Sequence, residues 1–166
     1  MIEHGGSRKP LVTPDSNIEE VTGATMSTKT MRFEQVAVGN ELPPLAIPIT
    51  TTLVVAGALA SRDFTPVHHD KAAAQAQGMQ DVFMNILTTN GLVGRYVTDW
   101  AGPDAIVRNV SIKLGGPNLP GDTMKMSGKV TAKDDKTGIV DVAVTGANSW
   151  GDHVTGTVKI ALPRGA

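Results

Sequence analysis

Apolar residues recur at helical spacing in three stretches of the chain. The segment TTLVVAGALASRD (residues 51–63) predicts a short buried helix that begins behind a capping threonine and ends near Arg62. The segment DKAAAQAQG (residues 70–78) predicts a second short helix, with Asp70 as its N-cap and Gly78 as its stop. In NILTTNGLVGRYVTDW (residues 85–100) apolar residues repeat every three or four positions over about four turns, which predicts the longest helix.

Two glycines interrupt this longest helix. Gly91 and Gly94 each weaken a helix by up to about 1 kcal/mol relative to alanine. We therefore expect them to mark the close approach of another backbone.

Extended structure is predicted on both sides of the helices. The β-branched run from Ile47 to Thr52 predicts a strand ahead of the first helix. Four further strand-like segments follow the longest helix, separated by PNLPG, DKTG and GD: AIVRNVSIKLGG, DTMKMSGKVTAKD, GIVDVAVTGANSW and DHVTGTVKIALP. We expect these neighbours to pair as an antiparallel meander. In the last two segments alternation places one set of side chains on a shared face: Val140, Val142, Val144, Val154, Val158 and Ile160.

The order of elements predicts the fold class. A strand, short helices, one long helix and then antiparallel strands are typical of an α+β protein with the hot-dog fold, an antiparallel sheet curled around one long central helix. Residues 1–30 are rich in Gly, Ser, Thr, Pro and charge and show no hydrophobic period, which predicts a flexible N-terminal tail ahead of a folded domain at residues 31–166.

Composition narrows the classes of partner. The 15 Lys and Arg nearly balance the 16 Asp and Glu, so the basic footprint of a nucleic-acid-binding protein is missing. The chain has no cysteine, which excludes thiolate chemistry and fits a reducing compartment. No apolar run approaches the roughly 18–20 residues that span a bilayer, and the N-terminus lacks the apolar core of a secretory signal. We expect a cytoplasmic protein without a nucleic-acid or membrane partner.

The candidate chemistry lies in ASRDFTPVHHD (residues 60–70). An Asp and a His held on a short rigid turn can share one water, since one group accepts its proton while the other donates a proton to the substrate. Pro66 fixes one φ angle and biases Thr65 towards extended geometry, so both are candidate loop-positioning residues for Asp63 and His68.

Two other interpretations of this loop stay open. An Asp and a His five residues apart more often serve as a turn residue and an ordinary loop histidine. A metal site at His68, His69 and Asp70 is disfavoured because adjacent residues seldom converge on one ion, and His4 and His153 lie far away in the sequence. We predict no metal site.

A family resemblance favours the catalytic interpretation. Asp63-Phe64-Thr65-Pro66-Val67-His68 resembles the Asp-x-Asn-Pro-aliphatic-His signature of the MaoC-like (R)-specific enoyl-CoA hydratases and dehydratases. A second segment, IKLGGPNLPGDTMKMSGKV, is similar to a strand-turn-strand segment of that family. Within the family, ASRDFTPVHHD, NILTTNGLVGRYVTDWAGP and GDHVTGTVKIAL are similar to the small MaoC-type subunit of the actinobacterial steroid side-chain enoyl-CoA hydratase, which works with a larger partner subunit.

The resemblance implies a function and a site. It implies a hot-dog fold and reversible hydration of a trans-2-enoyl-CoA to an (R)-3-hydroxyacyl-CoA, with a steroid side-chain acyl-CoA as one candidate substrate. Asp63 and His68 are then the catalytic pair, and no cofactor is needed because coenzyme A is part of the substrate. The expected assembly is a homodimer or a heteromer with a second MaoC-type subunit.

The sequence departs from the family pattern at two positions. The family's Asn is Thr65 here, so its positioning role is lost or passes to a hydroxyl. The family's His-Gly-Met at the start of the central helix is Met84-Asn85-Ile86. A backbone N–H survives any side chain except proline, so the N–H of Asn85 is the candidate oxyanion donor at this helix N-terminus.

Two alternative functions remain. A hot-dog acyl-CoA thioesterase would use a carboxylate to activate water against the thioester carbonyl, and it would release free CoA. A non-catalytic subunit of a heteromeric hydratase would only complete its partner's acyl tunnel. The Asp and His with an intervening proline favour hydration over both.

Arg62, Lys113 and Lys125 are candidate contacts to CoA phosphates, although isolated basic residues are more often solvated.

Overall fold

The described residues form three α-helices and five β-strands. A computed structural model describes residues 29–165, so most of the predicted N-terminal tail lies outside the described residues. The elements are β1 (Glu41–Pro48), α1 (Thr51–Ala60), α2 (Lys71–Ala76), α3 (Ile86–Ala101), β2 (Ile106–Leu114), β3 (Thr123–Asp134), β4 (Ile139–Asn148) and β5 (Gly151–Ala161). Short 3-10 turns occupy Phe33–Gln35 and Pro66–His68. Within the described range, no helix combines the length and apolarity needed to cross a bilayer.

The five strands form one antiparallel sheet in the order β1-β3-β4-β5-β2. The meander predicted for the last four strands is correct for β3, β4 and β5 and wrong for β2. Strand β3 already has β1 on one side and β4 on the other, so β2 pairs with the free edge of β5 instead. Residues 115–122, which connect β2 to β3, therefore run from the edge strand β2 to the strand beside the opposite edge of the sheet.

The first strand lies earlier than predicted. The run from Ile47 to Thr52 was expected to be a strand, but β1 ends at Pro48 and Thr50 caps α1 by accepting the N–H of Leu53 at 3.0 Å. Of the three prolines in β1, Pro48 ends the strand, and Pro43 and Pro44 fit inside it because β1 is an edge strand whose register shifts between Leu42 and Leu45. At an edge or a bulge the missing proline N–H costs no ladder bond.

The three helices lie where they were predicted, but the expectation that α1 is buried is wrong, because only Val54 and Ala58 of this helix are buried. Asp70 caps α2 by accepting from the N–H groups of Ala72 and Ala73, and Gly78 takes a positive φ of 84° beyond its end. Helix α3 packs on the sheet with one apolar face, and the side chains predicted to share a face on β4 and β5 are all buried. The protein is an α+β hot-dog fold with α3 as its central helix.

No backbone of the described residues approaches the two glycines of α3. A Cβ built at Gly91 or Gly94 would meet no atom of the described chain within 4 Å. Among the glycines within the helices, the tight contact is at Gly57 of α1, where a Cβ would be 2.3 Å from the side-chain Oγ1 of Thr88 on α3. Gly57 therefore sets the spacing of α1 and α3, the two helices whose ends carry the candidate site.

Candidate active site

The end of α1 places Asp63. The N–H of Asp63 donates to the carbonyl of Ala58 at 2.9 Å, and the N–H of Arg62 donates to the carbonyl of Leu59 at 3.0 Å. This pair of bonds is a Schellman motif, which normally has glycine at the left-handed position. Arg62 occupies that position with a φ of 59°. The turn is thus fixed by backbone bonds immediately before the carboxylate.

Two neighbours hold the carboxylate of Asp63. Oγ1 of Thr65 donates to Oδ1 at 2.7 Å, and Nδ2 of Asn85 donates to Oδ2 at 3.0 Å. The hydrogen bond from Thr65, followed by the one from Asn85, lowers the pKa of Asp63 below its usual value because both stabilise the charged form. Asp63 is therefore ionised at neutral pH, and the hydroxyl of Thr65 contacts it directly.

His68 faces Asp63 from the 3-10 turn that Pro66 begins. Its ring is nearly buried, at 7% exposure, and packs against the edge of Phe83 with centroids 4.9 Å apart. Nδ1 lies 2.7 Å from the carbonyl oxygen of Phe83, which can only accept, so Nδ1 carries a proton. Nε2 is left to face Oδ2 of Asp63 at 3.3 Å. The two residues that the sequence singled out lie side by side.

Asn85 joins the carboxylate to α3. It is 2% exposed and caps the helix, since its Oδ1 accepts the N–H of Thr88 at 2.9 Å. Its Nδ2 donates to Oγ of Ser61 at 2.8 Å as well as to Asp63. The described residues provide no acceptor for its backbone N–H. The predicted oxyanion donor thus lies at the site, and its side chain has a second role that the sequence did not indicate.

A cavity of about 560 Å³ opens at this cluster. Asp63, His68 and Asn85 contribute to its lining. The remaining lining residues are mainly apolar: Met79, Phe83, Met84, Ile86, Leu114, Gly115, Gly116, Pro117 and His153. Apolar walls with a few convergent polar groups are typical of a site that binds a largely apolar small molecule.

Sequence reasoning did not select His153 or Thr89 for the site. Nδ1 of His153 lies 2.7 Å from the carbonyl oxygen of Gly116, and its Nε2 lies 2.8 Å from Oγ1 of Thr89. Burial lowers the pKa of His153 because it penalises the charged ring. Simple alternation assigns His153 to the face opposite Val154, so periodicity alone gave no signal for it.

Other candidates lie outside the cavity. Arg62, Lys113 and Lys125 are exposed and do not line it. His69 and Pro66 are also exposed, and Nε2 of His69 lies 3.3 Å from the carbonyl oxygen of Phe64. From Lys29 to Gly165, no three metal-ligating side chains cluster closely enough to hold an ion.

Comparison with known proteins gives consistent matches. The family model of the MaoC like domain matches residues 24–149. The beta subunit of 3-oxo-4,17-pregnadiene-20-carboxyl-CoA hydratase from Mycobacterium tuberculosis is 50% identical over 125 residues, which cover 75% of this chain and 95% of that protein.

Solved structures agree with this match. A chain of the ChsH1–ChsH2 complex from Mycobacterium tuberculosis aligns with a TM-score of 0.74 and 50% identity over 76% of this chain and 98% of that one. The R-hydratase PhaJ1 from Pseudomonas aeruginosa aligns with a TM-score of 0.75 over 82% of this chain and 88% of that one. At 22% identity the second likeness concerns the fold alone.

Proposed function

The chain belongs to the MaoC-like domain family, and from this premise we propose that it is an enoyl-CoA hydratase. It adds water reversibly to a trans-2-enoyl-CoA and gives an (R)-3-hydroxyacyl-CoA. The observation that carries the proposal is the pair formed by Oδ2 of Asp63 and Nε2 of His68, 3.3 Å apart at the polar end of an otherwise apolar cavity.

Asp63 and His68 act on one water. Asp63 enters the cycle ionised, because the pKa of its carboxyl is lowered, and so it cannot donate the first proton. The water oxygen bonds to the β-carbon of the substrate while its proton passes to the pair, and the electrons of the double bond move towards the thioester oxygen. The pair then returns a proton to the α-carbon, the electrons move back, and both residues regain their starting states.

The N-terminus of α3 supplies the third group. Negative charge develops on the thioester oxygen between the two steps and needs a donor aimed at it. The backbone N–H of Asn85 is the donor we propose, because Asn85 contributes to the lining of the same cavity and the aligned peptide dipoles of α3 favour negative charge at this end.

A bulky apolar acyl group is the proposed substrate. The relative that is 50% identical is named for a steroid carboxyl-CoA, 3-oxo-4,17-pregnadiene-20-carboxyl-CoA. The apolar lining of the cavity by Met79, Phe83, Met84 and Leu114 supports a substrate of similar character. A second MaoC-type subunit is the proposed partner, since the chain that aligns at 50% identity is part of a two-component complex.

A hydration assay tests the proposal. The loss of enoyl absorbance is followed for short, long and steroid-derived enoyl-CoA esters, with this chain alone and with a candidate partner subunit, while free CoA is measured in parallel. We expect absorbance to fall without CoA release, and Asp63→Asn to remove nearly all turnover from a folded protein. Release of CoA would identify a thioesterase, and full activity in Asp63→Asn would overturn the assignment.

The two adjacent histidines provide a matched control. His68→Asn removes the nitrogen that faces Asp63, whereas His69→Asn changes an exposed ring outside the cavity. General acid-base groups contribute about 10²- to 10⁴-fold, so we expect a loss of that order in His68→Asn. His69→Asn should keep the activity of the unmodified chain. Equal losses in both variants would contradict the proposed pair.

A further inference from the structure

A β-bulge turns His153 towards the site. In the pairing of β4 with β5, Gly146 lies opposite Val154 and the next residue, Ala147, lies opposite Asp152. His153 is therefore the extra residue of β5. A bulge kinks its strand and can re-aim a side chain, and bulges often occur next to active sites. His153 and Val154 are consequently both buried, with 2% and 0% exposure, although they are consecutive in a strand.

The contacts of the ring assign its protons. The carbonyl of Gly116 can only accept, so Nδ1 of His153 carries a proton and donates across 2.7 Å. In the neutral ring, which burial favours, Nε2 must then accept from the hydroxyl of Thr89 at 2.8 Å. Both nitrogens are engaged within the protein, so His153 has none left for a substrate.

Thr89 connects this ring to the proposed oxyanion donor. It is fully buried on the first turn of α3, and its N–H donates to the carbonyl of Asn85 at 3.2 Å. His153 thus links strand β5 to Gly116, which lines the cavity, and to the helix turn that begins at Asn85. Through Asn85, the same chain of contacts reaches Asp63.

Shape alone does not explain a polar pair at this position. Val154, Val158 and Ile160 fill the rest of the buried face of β5. Burying a hydroxyl and an imidazole among such neighbours lowers the stability of the fold unless every polar atom has a hydrogen-bond partner. When all of them have partners, the hydrogen bonds fix the orientation of the groups, which aliphatic packing does not do.

We propose that His153 and Thr89 form a positioning pair. The pair holds the N-terminus of α3 and Gly116, which lines the cavity, at fixed positions relative to Asp63 and His68. This inference rests on the proposed hydratase function, for which it identifies two further residues. Neither residue is catalytic, because the pair acts through the placement of the Asn85 N–H.

Thr89→Val and Thr89→Ser test the pair as matched variants in the full chain, with the partner subunit where turnover requires it. Valine keeps the shape of threonine and removes the hydroxyl, whereas serine keeps the hydroxyl. A misplacement near 1 Å can cost about 100-fold in rate, so we expect kcat to fall about 10- to 100-fold in Thr89→Val with KM little changed. Thr89→Ser should restore kcat to within about threefold, in keeping with a role of the hydroxyl in orientation.

A double-mutant cycle separates the pair from two independent residues. His153→Asn keeps a donor near Gly116 but loses the acceptor for Thr89. The double variant should therefore be no slower than the slower single variant. Additive losses, or wild-type kcat in Thr89→Val, would overturn the proposal. If Thr89→Val does not fold, Thr89→Ala takes its place beside Thr89→Ser.

Amide hydrogen exchange tests the positioning pair independently of the proposed hydratase function. We expect Thr89→Val to speed exchange at residues 88–90 about tenfold or more while the amides of β3 and β4 keep their protection. If the unmodified chain hydrates no enoyl-CoA, the proposed function fails, and the exchange result alone decides whether the pair holds the helix turn. Unchanged exchange in that turn would overturn the inference even in an active enzyme.

Discussion

Oδ2 of Asp63 accepts a hydrogen bond from Nδ2 of Asn85 at 3.0 Å and lies 3.3 Å from Nε2 of His68. One carboxylate oxygen therefore faces both an amide donor and the imidazole nitrogen. The amide is a donor at every pH at which the protein is folded, so it favours the ionised carboxylate. After the hydroxyl of Thr65, the amide of Asn85 thus stabilises the charged form of Asp63 and holds its Oδ2 in place.

Asn85→Asp separates this control from the capping role of the residue. Aspartate still caps α3, because its oxygen accepts the N–H of Thr88, but it replaces the donor to Asp63 with a like charge. We expect kcat to fall about 10- to 100-fold with the helix intact, because like charges disfavour ionisation of Asp63 and misplace it. Asn90→Asp, which adds the same charge at an exposed position of α3, is the control and should keep full activity.

The same variant has a pH signature. The pKa of Asp63 is lowered in the folded protein, so acidification protonates it only at a pH below the usual range for a carboxyl. Loss of the Asn85 donor raises that pKa, so the acid limb of kcat/KM in Asn85→Asp should move to higher pH than in Asn90→Asp. Identical acid limbs in the two variants would show that the amide does not set the charge of Asp63.

Local chemistry explains why the centre of the site could be predicted. Asp63 and His68 are five residues apart, and the turn between them depends on the end of α1 and on Pro66, all within one short segment. The helices and the last four strands were also predictable, because caps, stops and periodicity lie within each element. The features that the sequence indicates correctly are those set by neighbours along the chain.

Long-range pairing explains what could not be predicted. Strand β2 pairs with β5 because β3 has no free edge, and that choice depends on the whole sheet. His153 faces the cavity because of a bulge whose position is fixed by pairing with β4, so periodicity assigns it to the wrong face. Among the helical glycines it is Gly57, not Gly91 or Gly94, that lacks space for a Cβ, and only the packing of α1 on α3 decides this.

Gly57→Ala and Gly91→Ala should have opposite effects on stability. At Gly57 the new methyl group would lie 2.3 Å, 2.7 Å and 3.1 Å from Oγ1, Cγ2 and Cβ of Thr88, so rotating Thr88 cannot relieve the contact. Overpacking costs about 1–3 kcal/mol, which exceeds the helix-propensity gain of up to about 1 kcal/mol, so the free energy of unfolding should fall. Gly91→Ala meets no atom and should raise it by about 0.5–1 kcal/mol.

Urea denaturation of both glycine variants measures these changes. A rise in the denaturation midpoint for Gly57→Ala would mean that α1 and α3 have room to separate. Because these helices carry Asp63 and Asn85, Gly57→Ala should also lower kcat at temperatures at which it is fully folded.

Arg62→Gly should stabilise the protein. A left-handed residue with a side chain costs about 1–2 kcal/mol, and glycine avoids that cost while losing about 0.5–1 kcal/mol through the greater freedom of the unfolded chain. Arg62 has a φ of 59°, so we expect the free energy of unfolding to rise by about 0.5–1 kcal/mol in Arg62→Gly. Arg62→Ala keeps a Cβ at this position and serves as the control, with stability near that of the unmodified chain. A gain in both variants would assign the effect to loss of the guanidinium.

Burial of neutral His153 should make stability depend on pH below neutrality. The pKa of its ring is lowered in the folded state by burial, so between that pKa and the usual histidine value the unfolded chain binds more protons than the folded one. The free energy of unfolding therefore falls as pH falls through this window, by at most about 1.4 kcal/mol per pH unit, and levels off below the folded-state pKa.

His153→Asn removes this contribution, so its unfolding free energy should change less between pH 6.5 and pH 5 than that of the unmodified chain. His69→Asn, which removes an exposed ring instead, is the control and should retain the steeper dependence. Thermal and urea denaturation at several pH values give both curves. Equal slopes in His153→Asn and the unmodified chain would mean that the folded protein takes up a proton on His153 as easily as the unfolded chain does. Nε2 would then donate to Oγ1 of Thr89, and the Thr89 hydroxyl would have to donate to the carbonyl of Asn85, 3.3 Å away.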